Sequence, residues 1–250
     1  MLISIIIRTL NEESYLNELL DSIKAQEKAN HKIEIILVDS GSEDKTIEIA
    51  KKHNCIITYI EKEDFSFGKS LNVGIETSCG EILVFISGHC IPVNDNWLLE
   101  LINPLLNGNN HYSYGRQVGR EKTKFSEKKI FLKYFPASEN HNNEKYFANN
   151  ANSSLRRDVW EINKFNEELT GLEDIDLGNR ISKQEMRVKY CSQAVVYHIH
   201  DESFSQTKKR YEREAIALKS IFPLVEISFL DFMRYLIISI VTDLTDSIRE

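Results

Sequence analysis

Leu83-Val84-Phe85-Ile86-Ser87-Gly88-His89-Cys90-Ile91-Pro92 runs four large apolar residues into a small polar turn, a histidine and a proline. An unbroken apolar run of this length suits a strand covered on both faces, and Gly88 and Pro92 punctuate its end. A side chain just beyond such a strand stands where open α/β sheets bind ligands. His89 is therefore a candidate site residue, although a lone histidine after a strand is also an ordinary loop residue.

Upstream of this stretch the pattern repeats. Leu2–Ile7 and Ile33–Val38 are apolar, β-branched runs, and Cys55–Ile60 is a shorter one. Between them lie segments with helical spacing: Leu16, Leu19, Leu20 and Ile23, with Ser14 as an expected cap; then Thr46, Ile47, Ile49 and Ala50; then Leu71, Val73, Gly74 and Ile75. Strand and helix alternate up to residue 90, which predicts an α/β fold with a parallel, helix-covered sheet. Polar clusters follow three strands: Arg8 to Glu12, Asp39 to Asp44, and Ser87 to His89. Their convergence on one crevice predicts a nucleotide site. Neither GxGxxG nor GxxxxGK[ST] occurs, so a dinucleotide fold and a P-loop are not supported.

The 250 residues are 42% hydrophobic and 28% charged, enough to bury a core without staples. A net charge of −7 argues against a nucleic-acid partner. Cys55, Cys79, Cys90 and Cys191 form no CxxC pair, which suits free thiols in a reducing cytoplasm. Arg8 and Asn11 interrupt the N-terminal apolar run, which reads as a strand and not as a signal peptide.

Farther along, Trp97–Leu106 has one apolar helical face, Asn107–Asn110 is a turn, and Tyr112–Gln117 is a strand. Residues 121–144 read as a charged excursion, part helix. Phe147–Trp160 contains Asn149, Asn150 and Asn152 among small residues. It suggests either a turn-rich loop or hydrogen bonding to a polyhydroxylated ligand. Glu173, Asp174 and Asp176 open an apparent helix, where acids suit the macrodipole and where a general base could also sit. Val188–Tyr197 includes a strand, followed by His198-Ile199-His200, which could be strand-end polar residues or metal ligands. A charged helix over Thr207–Ser220 precedes the apolar stretch Ile227–Val241. Asp231 and Arg234 break that stretch too often for a span of about 20 apolar residues. It is expected to be an amphipathic helix docked on the domain, a partner or a membrane surface. Glu250 carries no clear terminal signal, as in a chain that continues beyond it.

Taken together these motifs resemble the family 2 glycosyltransferases with the GT-A fold, in the bacterial surface-polysaccharide branch and rhamnosyltransferase-like. The resemblance covers residues 3–205. It rests on Ile5-Ile6-Ile7-Arg8-Thr9-Leu10-Asn11-Glu12, on Val38-Asp39-Ser40-Gly41-Ser42-Glu43-Asp44-Lys45-Thr46, on Asn72-Val73-Gly74, and on the Ser87, Glu173 and His198 elements. It implies a Rossmann-like, mostly parallel central sheet covered by helices, with a C-terminal helical extension. The division would be a GT-A domain over 1–205, with a nucleotide-binding half at 1–90 and an acceptor-side half at 91–205, and the extension over 206–250.

The resemblance also implies roles. Arg8, Thr9, Asn11, Glu12, Asp39 and Ser40 would hold the nucleotide, with Lys69 and Asn72 near the diphosphate. Ser87, Gly88 and His89 stand where the family has D-x-D, so the first aspartate is absent and the second is a histidine. His89, with His198 or His200, would then ligate a divalent ion, Mn or Mg. Asp174 would be the base of an inverting transfer, with Glu173 as its understudy. Arg116 would neutralise the leaving diphosphate, and Asn149, Asn150 and Asn152 would line the sugar side. The implied partners are a nucleoside-diphosphate-sugar donor and a glycan or lipid-linked acceptor. The last helix would supply a peripheral membrane or homo-oligomer contact. The alternative is a degenerate GT-A domain kept as a binding or assembly module.

Overall fold

The computed structural model describes residues 1–108, 110–139 and 143–247. Asn109 of the expected turn, residues 140–142 of the excursion, and Glu250 lie outside the described residues. The first seven elements are β1 (Leu2–Thr9), α1 (Glu13–Lys24), β2 (Lys32–Asp39), α2 (Thr46–Lys52), β3 (Ile56–Tyr59), α3 (Phe67–Thr77) and β4 (Ile82–Ser87). They alternate as their periodicities predict. There follow β5 (Cys90–Pro92), α4 (Trp97–Leu106), β6 (Tyr112–Val118), α5 (Phe125–Tyr134), β7 (Asn152–Arg156), α6 (Arg157–Ile162), α7 (Glu173–Ser182), β8 (Val188–His198), α8 (Phe204–Ile221) and α9 (Phe229–Ser247).

All eight strands form one sheet in the order β3-β2-β1-β4-β7-β6-β8-β5. β1 pairs in parallel with β2 and β4, β2 with β3, and β6 with β8. β7 and β5 run antiparallel to their neighbours. Strands from both sides of residue 90 therefore share one continuous sheet. The alternation of side chains divides the core between its faces. Ile3, Ile5, Ile7, Val84 and Ile86 pack with α1 and α4 on one face. Ile6, Leu83 and Phe85 pack with α3, α6 and α7 on the other. Both faces are covered, which is why these strands read as unbroken apolar runs.

Two local expectations need correction. Ser14 does not cap α1. The helix begins at Glu13, and its first amides are capped from another loop: Glu12 N donates to Thr46 Oγ1 (2.8 Å) and Glu13 N to Asp44 Oδ2 (3.0 Å). The segment Phe147–Trp160 is not chiefly loop, because Asn152–Arg156 is a central strand between β4 and β6. Asn152, Ser153 and Ser154 are fully buried there. The polar strand is tolerated because its side chains are hydrogen-bonded. Ser154 Oγ reaches Leu101 O (3.1 Å) and Ser113 Oγ (2.7 Å), and Ser153 Oγ donates to Asn150 Oδ1 (2.8 Å).

α8 lies against the domain, whereas α9 does not bury its apolar face there. Phe229, Leu230, Ile237, Ile240 and Leu244 are all exposed. α9 is tied to the domain by an ion pair between Asp243 and Lys129 (3.0 Å). No described helix is long and apolar enough to cross a membrane.

Candidate active site

The carboxyl ends of β1, β2 and β4 meet at one edge, with Arg8 paired to Ser87 and Thr9 to Asp39. The loops after β1 and β2 are clasped together. Asp39 is buried, and its carboxylate accepts from Thr9 Oγ1 (3.1 Å), Ser42 Oγ (2.5 Å), Gly41 N (3.0 Å) and Ser42 N (2.9 Å). Ser40 Oγ donates to Thr9 O, and Asn11 exchanges bonds with Ser42 Oγ and Glu43 N. Asn11 achieves this at φ +57, a left-handed conformation that asparagine tolerates better than most residues. Four bonds fill the lone-pair sites of a carboxylate. Asp39, expected to grip base or ribose, shapes the loop in this structure, and Thr9, Ser40 and Asn11 act with it. Asp39→Ala is expected to lower stability by about 2 kcal/mol, since buried donors lose their acceptor. An unchanged denaturant midpoint would count against the clasp.

Asn72, expected near the diphosphate, has its side chain bonded within the protein. It is buried, donating to Phe165 O (2.9 Å) and Glu167 Oε1 (2.8 Å) and accepting from Trp160 Nε1 (2.9 Å). It pins the segment after α6 to α3. Lys69 is half exposed and pairs with Asp64 (3.2 Å).

The acid pair stands at the start of α7, after Leu172 in a left-handed conformation (φ 57). A leucine there costs roughly 1–2 kcal/mol, strain of the kind that gathers at functional sites. The two acids have different partners. Glu173 Oε1 accepts from Arg8 (3.0 Å), an ion pair largely buried on both sides. Asp174 Oδ2 accepts from the backbone N–H of Asn150 (2.9 Å). Burial, then the neighbouring Glu173 charge, push the Asp174 carboxyl up to about 7, against the lowering effect of the Asn150 and Ile175 amides and Arg8. Asp174 thus has a proton affinity suited to a base near neutrality, while Glu173 is held as the partner of Arg8.

The histidines converge. β5 pairs with β8, setting Cys90 opposite His198, and Ile199 N donates to His89 O (3.2 Å). His89, His198 and His200 each offer a ring nitrogen within 4.8 Å of the others. Each Nδ1 has an acceptor behind it: Glu12 Oε1 for His89 (2.8 Å), Gln117 Oε1 for His198 (2.6 Å), and Glu127 for His200. Each ring is thereby oriented by a hydrogen-bond partner at its Nδ1. Desolvation first, then His200, His89 and Arg210, hold His198 well below the ordinary histidine range, so its imidazole is neutral. Gly88 is required beside this cluster, because a Cβ there would stand 2.7 Å from Glu12 Cγ. Three converging imidazoles, each held at its Nδ1, fit a divalent cation.

Asn149 and Asn150 link the two halves of the site. Asn149 Oδ1 accepts from Gln117 Nε2 (2.9 Å), whose Oε1 orients His198, while the Asn150 amide holds Asp174. The asparagines are supports and not a sugar-facing row. Asn152 in particular is fully buried, bonding Trp97 Nε1, Arg116 O and Ala194 O. Arg116 has a buried Nε with no hydrogen-bond partner among the described residues. The cations near the site come from α8. Arg210 pairs with Glu202 (2.9 Å). Arg213 lies 4.5 Å over the Phe67 ring, whose other arginine neighbour is Arg8. Among the described residues Arg213 forms no ion pair, and its buried Nε has no hydrogen-bond partner. Sequence reading missed Gln117, Glu127 and Arg213 as site residues. Only the i, i+3 spacing of Arg210 and Arg213 carried a signal.

Residues 4–162, more than half the chain, match the family described as Glycosyl transferase family 2, and the chain belongs to it. Its sheet and helices have the GT-A fold. Among its relatives, the O-antigen chain rhamnosyltransferase RfbN of Salmonella typhimurium is 27% identical over 84% of this chain and 70% of its own length. The O-antigen chain rhamnosyltransferase WbaN of Salmonella anatum is 25% identical over 74% of this chain and 62% of its own length. The mannosyltransferase PcManGT of Pyrobaculum calidifontis, solved with GDP-Man and Mn2+, superposes with a TM-score of 0.67 at 19% identity. That match covers 88% of this chain and 63% of the mannosyltransferase. Staphylococcus aureus TarS 1-349 with UDP-GlcNAc gives 0.65 at 19% identity, covering 91% and 68%. The chain thus spans 62–70% of the length of these four.

Proposed function

We propose that this protein moves a sugar, a rhamnosyl group in the first instance, from a nucleoside diphosphate to a hydroxyl of a glycan or lipid-linked acceptor. The reaction inverts the anomeric centre and serves the assembly of a surface polysaccharide. One observation carries this reading: Asp174, raised to about 7, lies across the Asn149-Asn150 link from three converging histidines. A degenerate binding module would need neither a tuned carboxyl nor oriented imidazoles. The rhamnosyltransferase relatives support the choice of sugar.

Asp174 takes the proton of the acceptor hydroxyl as the oxygen attacks the anomeric carbon, and the nucleoside diphosphate leaves from the opposite side. Arg8 and Glu173 hold each other beside Asp174 and fix its electrostatic setting. Arg213 supplies an unpaired cation for the growing charge on the leaving phosphate, the role first expected of Arg116. His89, His198 and His200 would hold the divalent ion, which when bound neutralises the diphosphate. The free thiols support a cytoplasmic setting, and the exposed face of α9 supports a peripheral contact with a membrane surface or a second copy.

Calorimetry with UDP, GDP and dTDP, with and without a divalent ion, tests the reading. Binding of at least one, strengthened by the ion, is expected. No binding of any of them would overturn it.

A further inference from the structure

The donor set at the histidine cluster differs from an aspartate pair in its chemistry. The three candidate ligands are all imidazoles, and among the described residues no carboxylate joins their set. The nearest acids, Glu12 and Glu127, are turned to the Nδ1 atoms of His89 and His200, where they act behind the ligands. Ser87, in the position of a metal-binding aspartate, has no charge to offer. Mg2+ favours oxygen and an octahedral shell that keeps several waters, and Mn2+ stands lowest in nitrogen affinity among the first-row divalent ions. Imidazole suits Zn2+, Co2+, Ni2+ and Fe2+. Three histidines with a remaining open position are a known zinc arrangement.

We infer that this centre takes a borderline, nitrogen-preferring divalent ion of the Zn2+ or Co2+ type, and discriminates against Mg2+. The inference rests on the reading of the cluster as the diphosphate-side cation site, and it names the ion class for that site. Three nitrogens on one tetrahedral ion at about 2.1 Å stand roughly 3.4 Å apart. Their present separation, within 4.8 Å, closes by small rotations of the rings. Those rings are steered and not loose. Phe131 stacks on His198 (centroids 5.7 Å) and lies 6.5 Å from His200. Each ring is held at Nδ1 by its partner, and His198 is too buried for bulk water to compete for it. The two carboxylates behind His89 and His200 raise the basicity of those imidazoles as ligands. They also bring negative charge close to a centre whose candidate ligands are all imidazoles. The open side of the ion would be left for phosphate oxygens.

The test uses the full chain without an affinity tag, stripped with a chelator and dialysed against Mg2+, Mn2+, Co2+ or Zn2+ alone. Bound metal is counted by elemental analysis, and the Co2+ form is read by its visible absorption. One equivalent of Co2+ or Zn2+ is expected, with affinity at least about 100-fold above that for Mg2+. His89→Ala and His200→Ala, both at partly exposed positions, are expected to abolish the Co2+ spectrum while circular dichroism stays unchanged. Glu127→Gln keeps the three ligands and is expected to weaken Co2+ binding about 10–100-fold. Mg2+ binding as tight as Co2+, or a Co2+ spectrum that survives both histidine variants, overturns the inference. Nucleotide binding to the Co2+-loaded chain is scored separately. Metal selectivity without nucleotide binding would sink the transferase reading and leave the ion class standing, and nucleotide binding with Mg2+ preference would do the reverse.

Discussion

Asp174→Asn is expected to cut sugar transfer by about 10²–10⁴-fold while nucleotide binding stays within about twofold. The amide keeps the shape and still offers an oxygen to the Asn150 N–H, but it cannot take a proton from the acceptor. Single-turnover kinetics beside calorimetry separates the two effects, and near-normal turnover would move the base elsewhere. The same carboxyl sets a pH dependence. It must be ionised to act, so the rate in the unsubstituted protein should rise with pH through about 7. Stability should run the other way. The folded carboxyl binds its proton more tightly than the unfolded one, whose ordinary value is 3.8. Below that value both states are protonated. From there up to about 7 the unfolded state loses its proton first, so stability falls as pH rises and levels off above 7. The three-unit difference corresponds to at most about 4 kcal/mol, shared with Glu173. Asp174→Asn, which has no charge to bury, should therefore melt higher than the unsubstituted protein at pH 8 and show no such slope. The groups that set this titration are Glu173, Arg8 and the amides of Asn150 and Ile175.

Arg8→Met is expected to destabilise the fold by about 3–5 kcal/mol, because it leaves Glu173 buried without its cation. Denaturant unfolding measures this directly. Arg8 also lowers the Asp174 carboxyl, so its loss should shift the acidic limb of the rate profile upward in pH. Arg8→Met with Glu173→Gln removes both charges and should recover most of the stability. If the double variant is no more stable than Arg8→Met alone, the ion pair is not the source of the cost.

Much of the architecture was legible. β1 to β4 show as apolar runs because both faces of the sheet are covered, and the helices between them show as three- and four-residue spacing. The Asp39–Thr46 element and the acid pair were legible as motifs, but their division of labour was not. That Asp39 also holds its own loop, through Thr9, Gly41 and Ser42, was not visible in the motif. Asn152-Ser153-Ser154 looks like a loop because polar residues are rare in a buried central strand, and hydrogen bonds to Trp97, Leu101, Ser113, Arg116, Asn150 and Ala194 make it tolerable.

What the sequence determined by itself is what local pattern encodes: the α/β alternation, the parallel sheet, and the presence of His89, Glu173, Asp174, His198 and His200 at element ends. What only the tertiary structure decided is which of these are free to act. Glu173 and Asp174 are neighbours of one chemical type, and the arrival of Arg8 from β1 holds the first, while burial beside Glu173 raises the proton affinity of the second against the Asn150 amide. His89 is an ordinary loop histidine until β5 pairs with β8 and sets it against His198 and His200. Each difference comes from a contact between residues far apart in the chain. The ionisation and the free lone pairs of a polar group depend on what the fold brings to it.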